Sequence, residues 1–283
     1  MIPVAFEYDV AESVEHAIEL LAQYGEDARP LAGGHSLIPL MRLRLAVPTA
    51  LIDLGRLDDL RYVRDEGDYL AIGALTHHRD ILNNELVNEH CGILGYTAGL
   101  LGDPSVQHRG TIGGTLAHGD PAGDMPSVIC ALEGTLVVQG PDGERTVDAL
   151  DFFKDYLFTD LEPQEIVTEV RVPKLGSNTG WSYKKFSRRS QDWAIVGVAA
   201  VVEKDNGSIS SARIGLTSMG STPIRASSTE EALSGASADG VAQAAESADE
   251  GTSPASDDAA SAEFRRHLAR VWTRRAVEEA LNR

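Results

Sequence analysis

Ala28-Arg29-Pro30-Leu31-Ala32-Gly33-Gly34-His35-Ser36, followed by the apolar run Leu37 to Leu43, is the stretch on which the fold turns. A strand-like segment gives way to a glycine pair, and a short helix is expected directly after it. Successive glycines carry no Cβ, so the main chain can approach a bound group closely and aim several N–H groups at it. The helix start adds partial positive charge, and the Ser36 hydroxyl offers one further hydrogen bond. These are the requirements of a phosphate. They also describe a plain turn, and the stretch alone does not separate the two. It is neither the G-x-G-x-x-G dinucleotide fingerprint nor a Walker loop, since no Gly-Lys-Ser/Thr occurs.

The same arrangement returns at Arg109-Gly110-Thr111-Ile112-Gly113-Gly114-Thr115, again a glycine pair flanked by hydroxyls. Downstream, His118-Gly119-Asp120-Pro121-Ala122-Gly123-Asp124-Met125-Pro126 brings Asp124 to the mouth of a predicted helix. There it can act as an N-cap, or as a carboxylate that accepts from ribityl or ribose hydroxyls. The second turn offers a phosphate the same amide and hydroxyl logic as the first. A bulky residue at Gly33 or Gly114 should then expel the ligand, because its Cβ would intrude on the pyrophosphate.

Working outward, three units are expected: 1–57, 58–176 and 177–283. The first reads strand, helix (11–24, with Gly25 beyond its end), strand, glycine turn, short helix, and strand at 50–54. In the second, 69–74 reads as a strand and Thr76 as the cap of a helix starting at His77. A longer helix is expected over 84–100, a helix over 125–132 and a strand over 135–139. The run 165–173 alternates and stops at Pro173, which suggests an edge strand. In the third, strands at 195–202 and 209–217 flank Asp205-Asn206-Gly207, a hairpin signal. Between Ala226 and Phe264 there is no Lys or Arg, and 247–259 is expected to be a mobile loop. The last helix, 260–281, places Phe264, Leu268, Val271, Trp272, Val277 and Leu281 at helical spacing.

The formal net charge of −18 disfavours nucleic acid, whose binding needs a basic surface. It also means that a diphosphate must find its compensation in backbone dipoles. The 25 basic residues include only 5 lysines. An acid-rich, lysine-poor surface suits a high-salt cytoplasm, and a GC-rich genome would give the same arginine bias. Two cysteines, Cys91 and Cys130, are too few to hold an iron–sulfur cluster. They read as buried, reduced thiols. No apolar run of membrane-spanning length and no signal-like N-terminus is seen, so a cytoplasmic protein without an integral membrane segment is expected.

Taken together, A-G-G-H-S-L-I-P near residue 32, R-G-T-I-G-G near residue 109 and H-G-D-P-x-x-D-M-P resemble the FAD-binding subunits of the molybdenum hydroxylases, in particular the medium subunits of the aerobic carbon monoxide dehydrogenase type. E-I-V-T-E-V-R-V-P (165–173), Y-K-K-F-S-R-R (183–189) and F-R-R-H-L-A-R-V-W-T-R-R-A (264–276) extend the resemblance over essentially the whole chain. It implies an α+β fold: a two-part FAD-binding domain of the PCMH/VAO type, then an α/β C-terminal domain of the carbon monoxide dehydrogenase flavoprotein type. It assigns Ala32, Gly33, Gly34, His35 and Ser36 to one side of the FAD pyrophosphate, Thr111, Gly113 and Gly114 to the other, and Asp124 to the ribityl chain. Thr115 stands where many relatives carry Asn, so an amide contact is lost there and a hydroxyl remains.

The resemblance also points to the flavin ring. Lys185, with Lys184 as the alternative register, would place a cation near the N1/O2 edge and so raise the flavin potential. Trp193 occupies a position where relatives often carry Tyr against the isoalloxazine; otherwise it reads as a core tryptophan. Ile166 could pack on the ring or simply be core. The implied assembly is a heterotrimer, doubled, with a small [2Fe-2S] subunit and a large molybdopterin subunit, in which electrons reach FAD here and leave to an external acceptor. A stand-alone FAD oxidase of the same fold and a non-enzymatic nucleotide-binding module are the alternatives. His35, His77, His78 and His118 match no zinc spacing, so no metal site and no catalytic residue is assigned.

Overall fold

The computed structural model describes residues 2–283. Met1, the first residue of the N-terminal reading, lies outside them. Among the described residues, three larger sheets succeed one another along the chain, with one two-stranded sheet besides. The first contains β1 (Glu7–Val10), β2 (Arg29–Leu31) and β3 (Ala50–Asp53) in the order β1-β3-β2, all parallel. Helices α1 (Val14–Tyr24) and α2 (Leu37–Leu43) make the crossovers. The Ser13 side chain caps α1, and Gly25 ends it in a positive φ of 81°. Ala17, Ile18 and Leu21 pack on Ile52 and Leu54 to form the core of this part.

The second sheet has the order β4-β5-β10-β6-β7, with β4 at Val63–Asp65, β5 at Tyr69–Gly73, β6 at Thr135–Gly140, β7 at Gly143–Asp148 and β10 at Ile166–Pro173. Between β5 and β6 runs a chain of short helices: α3 (His78–Asn83), α4 (Glu85–His90), α5 (Gly92–Ala98), α6 (Pro104–Arg109), α7 (Ile112–His118) and α8 (Asp124–Ala131). A one-turn helix α9 (Ala149–Phe152) and the small hairpin β8 (Phe153–Asp155) and β9 (Phe158–Thr159) precede β10.

Three expectations are corrected here. Strand β10 is central, paired with β5 and β6, not an edge. Its alternating charges are part-buried and paired: Glu169 accepts from the Tyr62 hydroxyl and pairs with Arg171. Pro173 is tolerated because it is the strand's last residue. The helix expected over 84–100 is two helices broken at Cys91, whose φ of −149° is not helical. Gly92 then lies flat against Trp181, where a Cβ would come within 2.6 Å of the indole. Finally, Thr76 caps nothing. Its hydroxyl donates to the Tyr62 carbonyl and accepts from the Tyr62 amide, and helix α3 starts at His78.

The third sheet is antiparallel, in the order β11 (Thr179–Phe186), β12 (Val196–Asp205), β13 (Ser208–Thr217), β14 (Ile224–Arg225). Asn206 and Gly207, both at positive φ, turn the hairpin. Strand alternation gives this sheet two buried faces. Tyr183, Ala199 and Val201 join the core around α8, whereas Val198, Ala200 and Val202 pack beneath α12 (Ala262–Leu281). Helices α10 (Ser227–Leu233) and α11 (Val241–Ala244) complete that layer. The buried stripe of α12 differs from the expected one. It consists of Arg265, Leu268, Ala269, Thr273, Ala276, Val277 and Ala280, while Phe264 is exposed. Small residues let the helix approach so closely that a Cβ on Gly180 would meet the Ala280 carbonyl. Residues 250–260 form no regular element, but Asp249 pairs with Arg270, and Asp257 pairs with buried Arg265 and accepts from Ala260 N–H.

All eight residues of α8 are buried. A Cβ on Gly215 would lie 2.1 Å from the Ser127 carbonyl oxygen, so β13 sits flush on this helix. Helix α8 is thus the shared element that fixes the third sheet against the second part of the molecule. Among the described residues, no helix is long and apolar enough to cross a membrane.

Candidate functional site

The two glycine turns meet. A Cβ built on Gly33 would lie 2.1 Å from the Arg109 carbonyl oxygen and 2.9 Å from the Gly110 Cα. A Cβ on Gly114 would lie 3.6 Å from the Ala32 Cβ. At Gly33 main chain therefore touches main chain, a contact open only to a residue without a side chain, and at Gly114 the two turns are in ordinary contact through Ala32. Among the described residues, the N–H groups of Gly33, Gly34, His35 and Ser36 donate to no acceptor in the chain. Gly34 takes a φ of 75°, which turns the backbone so that consecutive amides face one way. Ser36 makes no side-chain cap on α2, so its hydroxyl is also unused. His35 is exposed at the rim.

The second turn rests on a rigid back plate. Ile112 N–H donates to the Thr76 carbonyl, Gly113 N–H to Ala74, and His78 N–H to Gly110. Thr111 caps α7 through its hydroxyl, which accepts from Gly114 N–H at 3.2 Å. Gly113 is buried directly on Ala74, where a Cβ would come within 2.5 Å. Behind the turn, His78 Nε2 lies 2.9 Å from Thr115 Oγ1.

Burial holds the His78 imidazole far below its ordinary value of 6.5, down to about 3. Folding thus disfavours proton uptake at His78. The stability this residue allows is present in full above 6.5 and is lost as pH falls from 6.5 towards 3. Urea unfolding across this window should therefore show a falling free energy, and His78→Leu should flatten the slope by about one proton. Identical slopes in the two proteins would remove His78 as the source.

Asp124 and Lys185 form one unit. Asp124 is the first residue of α8, not its cap, which is Gly123. Its Oδ2 pairs with the Lys185 ammonium at 2.7 Å, and its Oδ1 accepts from the Tyr183 hydroxyl at 2.6 Å. The Lys185 side chain is only 6 % exposed and also donates to the Leu100 carbonyl. Burial pushes the Asp124 carboxyl up, against the opposing pull of the ammonium and the phenol. Burial and the Asp124 charge push Tyr183 well above its ordinary value, so it stays a donor. Tyr183 and Lys185 reach the same carboxylate because residues two apart on β11 share a face. Lys184, on the other face, pairs with Glu279 of α12. That separates the two lysines between which the sequence left a choice.

The ring candidates fall in different surroundings. Trp193 is 58 % exposed and precedes β12, so it is no core residue. It lines an open recess of about 480 Å³ with Gly102, Asp103, Arg188 and Asp192. Ile166 is 4 % exposed and packs with Leu57, Leu60 and Leu75 in the core of the first part. Cys91 and Cys130 are buried, their thiols pushed up to about 12 by desolvation. Among the described residues, no three His, Cys, Asp or Glu side chains cluster as metal ligands would.

Sequence reasoning missed the partners behind the site: Tyr183, the Leu100 carbonyl, and His78 as a support for Thr115. Strand alternation around Lys185 carried the signal for Tyr183. Nothing local carried the other two, which depend on how helices stack.

The cradle fits a dinucleotide's diphosphate: consecutive free amides, a hydroxyl and a mouth that a single Cβ would close. Comparison with known proteins agrees with this chemistry. The family described as FAD binding domain in molybdopterin dehydrogenase matches residues 4–175. The CO dehydrogenase flavoprotein C-terminal domain matches residues 181–280. The carbon monoxide dehydrogenase medium chain of Hydrogenophaga pseudoflava is 41% identical over 282 residues, 99% of this chain and 98% of that one. The 6-hydroxypseudooxynicotine dehydrogenase complex subunit alpha of Paenarthrobacter nicotinovorans is 38% identical, covering 100% of this chain and 97% of its own. Among solved structures, the Hydrogenophaga pseudoflava carbon monoxide dehydrogenase that lacks the Mo-pyranopterin moiety superposes with a TM-score of 0.97 at 42% identity, over 100% of this chain and 99% of that one.

Proposed function

Because this chain belongs to the FAD-binding flavoproteins of the molybdopterin dehydrogenases, of the CO dehydrogenase medium-chain type, we propose that it is the electron-transfer subunit of a three-subunit molybdenum hydroxylase. In this reading a large molybdopterin subunit oxidises the substrate, and a small subunit with [2Fe-2S] clusters delivers the electrons. This chain passes them through FAD to an external acceptor. The observation that supports its part most directly is the contact of Gly33 with Arg109 and Gly110, which joins the free amides of 33–36 to the second glycine turn in one cradle.

FAD supplies an acceptor that can take electrons singly and release them in pairs. The chain's residues do the rest. Ala32 to Ser36 would donate to one side of the diphosphate, and Thr111, Gly113, Gly114 and Thr115 would shape the other. Asp124, already bonded to Tyr183 and Lys185, would keep lone pairs for a ribityl hydroxyl. Lys185 would hold positive charge near the ring edge that becomes negative on reduction. Exposed Trp193 would stand at the ring's solvent side and control the approach of an acceptor. Ile166 would support the ring site from within the core.

Affinity purification of the tagged chain from its own host tests the assembly. We expect a yellow protein accompanied by an iron–sulfur subunit and a molybdenum-containing subunit, with substrate-dependent bleaching only in the complex. A yellow chain that turns over a substrate alone would favour a stand-alone oxidase instead.

A further inference from the structure

His78 is buried, 2 % exposed, and lies behind the second glycine turn. A Cβ on Gly110 would touch its ring at 2.9 Å, so ring and turn are in close contact. Its Nε2 meets Thr115 Oγ1 at 2.9 Å, while its Nδ1 is buried with no partner among the described residues. A neutral imidazole has one N–H, and two tautomers are available. With the proton on Nδ1, an unpaired N–H would be buried and Thr115 would spend its own proton on Nε2. With the proton on Nε2, the imidazole donates to Thr115, and only a lone pair is left unpaired at Nδ1. Orphaned buried N–H donors are the rarer and costlier defect. The second tautomer is therefore the favoured one, and burial keeps the ring neutral.

That tautomer fixes the polarity of the hydroxyl. Thr115 Oγ1 already accepts from His78, so its own proton must go elsewhere. It finds no other partner among the described residues. Thr115 is partly exposed on α7, directly after Gly113 and Gly114. We infer that His78 is a positioning residue of the cradle, which turns the Thr115 hydroxyl into a hydrogen-bond donor for the diphosphate. The inference rests on the proposed function above, in which both turns hold one FAD diphosphate. It gives the Thr115 hydroxyl the role that an amide side chain would otherwise play.

FAD titration into the full-length apo chain, followed by flavin fluorescence with melting temperature measured in parallel, tests this. His78→Leu and Thr115→Val should each weaken FAD binding about tenfold, the scale of one hydrogen bond to a charged group. The double variant should be no weaker than either single one, because both remove the same donor. Thr115→Asn carries its own amide donor, so adding His78→Leu to it should change affinity little. His78→Gln, which keeps a nitrogen donor, should retain most of the affinity. If His78→Leu fails to fold, Thr115→Val against His78→Gln decides: equal losses overturn the inference. Losses that multiply in the double variant, or a His78→Leu protein that binds as the wild type does, also overturn it. If the wild-type chain takes up no FAD, the proposed function falls and this inference with it. If every protein binds equally, only the inference falls.

Discussion

Gly33→Ala should leave a folded chain that retains no stoichiometric FAD, with affinity reduced about a hundredfold. Alanine adds a single methyl group. The three atoms it would meet all belong to the main chain: the Arg109 carbonyl oxygen at 2.1 Å, the Arg109 carbonyl carbon at 2.8 Å and the Gly110 Cα at 2.9 Å. No rotamer change relieves such a contact, so the two turns must separate by about an ångström before ordinary carbon contacts are restored. If the two turns hold one diphosphate, separation spoils the cradle, because the free amides of 33–36 then lose the second turn that faces them. The effect is thus indirect. The sequence suggests that a Cβ here collides with the ligand; the structure makes the collision one with the chain's own second turn. Gly114→Ala acts differently, since its methyl would meet the Thr111 hydroxyl at 2.8 Å and break the cap of α7. Gly176→Ala, whose methyl would meet only the Thr179 hydroxyl at an ordinary 3.7 Å, is the distant control. The measurement is FAD per chain after gel filtration, with thermal unfolding alongside. A Gly33→Ala protein with a full complement of flavin would mean that the turns do not work as a pair.

Much of this was readable from residues in a row. The strand and helix order of the first part followed from helical apolar spacing over 11–24, Gly25 and the Gly33-Gly34 turn, all local signals. The hairpin at Asn206-Gly207 was equally local, because the turn type dictates the residue type. Failures came where a tertiary contact overrode local preference. Cys91 breaks what reads as one helix because Gly92 must lie against Trp181, a residue far along the chain. Thr76 gives up its cap for Tyr62. Strand β10 reads as an edge because 165–173 alternates and stops at Pro173, yet the proline is only its last residue and Glu169 and Arg171 are paired within the chain. The two glycine turns stand out because glycine pairs are rare in this chain. Of the supports behind the site, Tyr183 was marked only by strand alternation around Lys185, and His78 by nothing local, because its contact with Thr115 depends on how helices stack.

The second large effect concerns the ion pair between α8 and β11. Lys185→Met leaves the Asp124 carboxylate buried with Tyr183 as its remaining donor. Removing one member of a buried pair typically destabilises by about 3–5 kcal/mol, because the stranded charge has lost both water and partner. The double variant Asp124→Asn/Lys185→Met removes the stranded charge and should recover most of that loss in urea unfolding. The flavin potential should not recover. If the Lys185 ammonium sits near the ring edge that becomes negative on reduction, both variants lack the cation and both should show a lower midpoint potential in redox titration. Stability and potential are thus pulled apart: the first depends on whether the pair is matched, the second on whether the cation is present. Lys184→Met serves as the comparison, since Lys184 pairs with Glu279 on the opposite face of β11 and should leave the potential unchanged. Equal potentials in wild type and Lys185→Met would show that the pair only fastens the third sheet to α8. A fall in potential shared by the single and double variants would place the charge of Lys185 at the flavin.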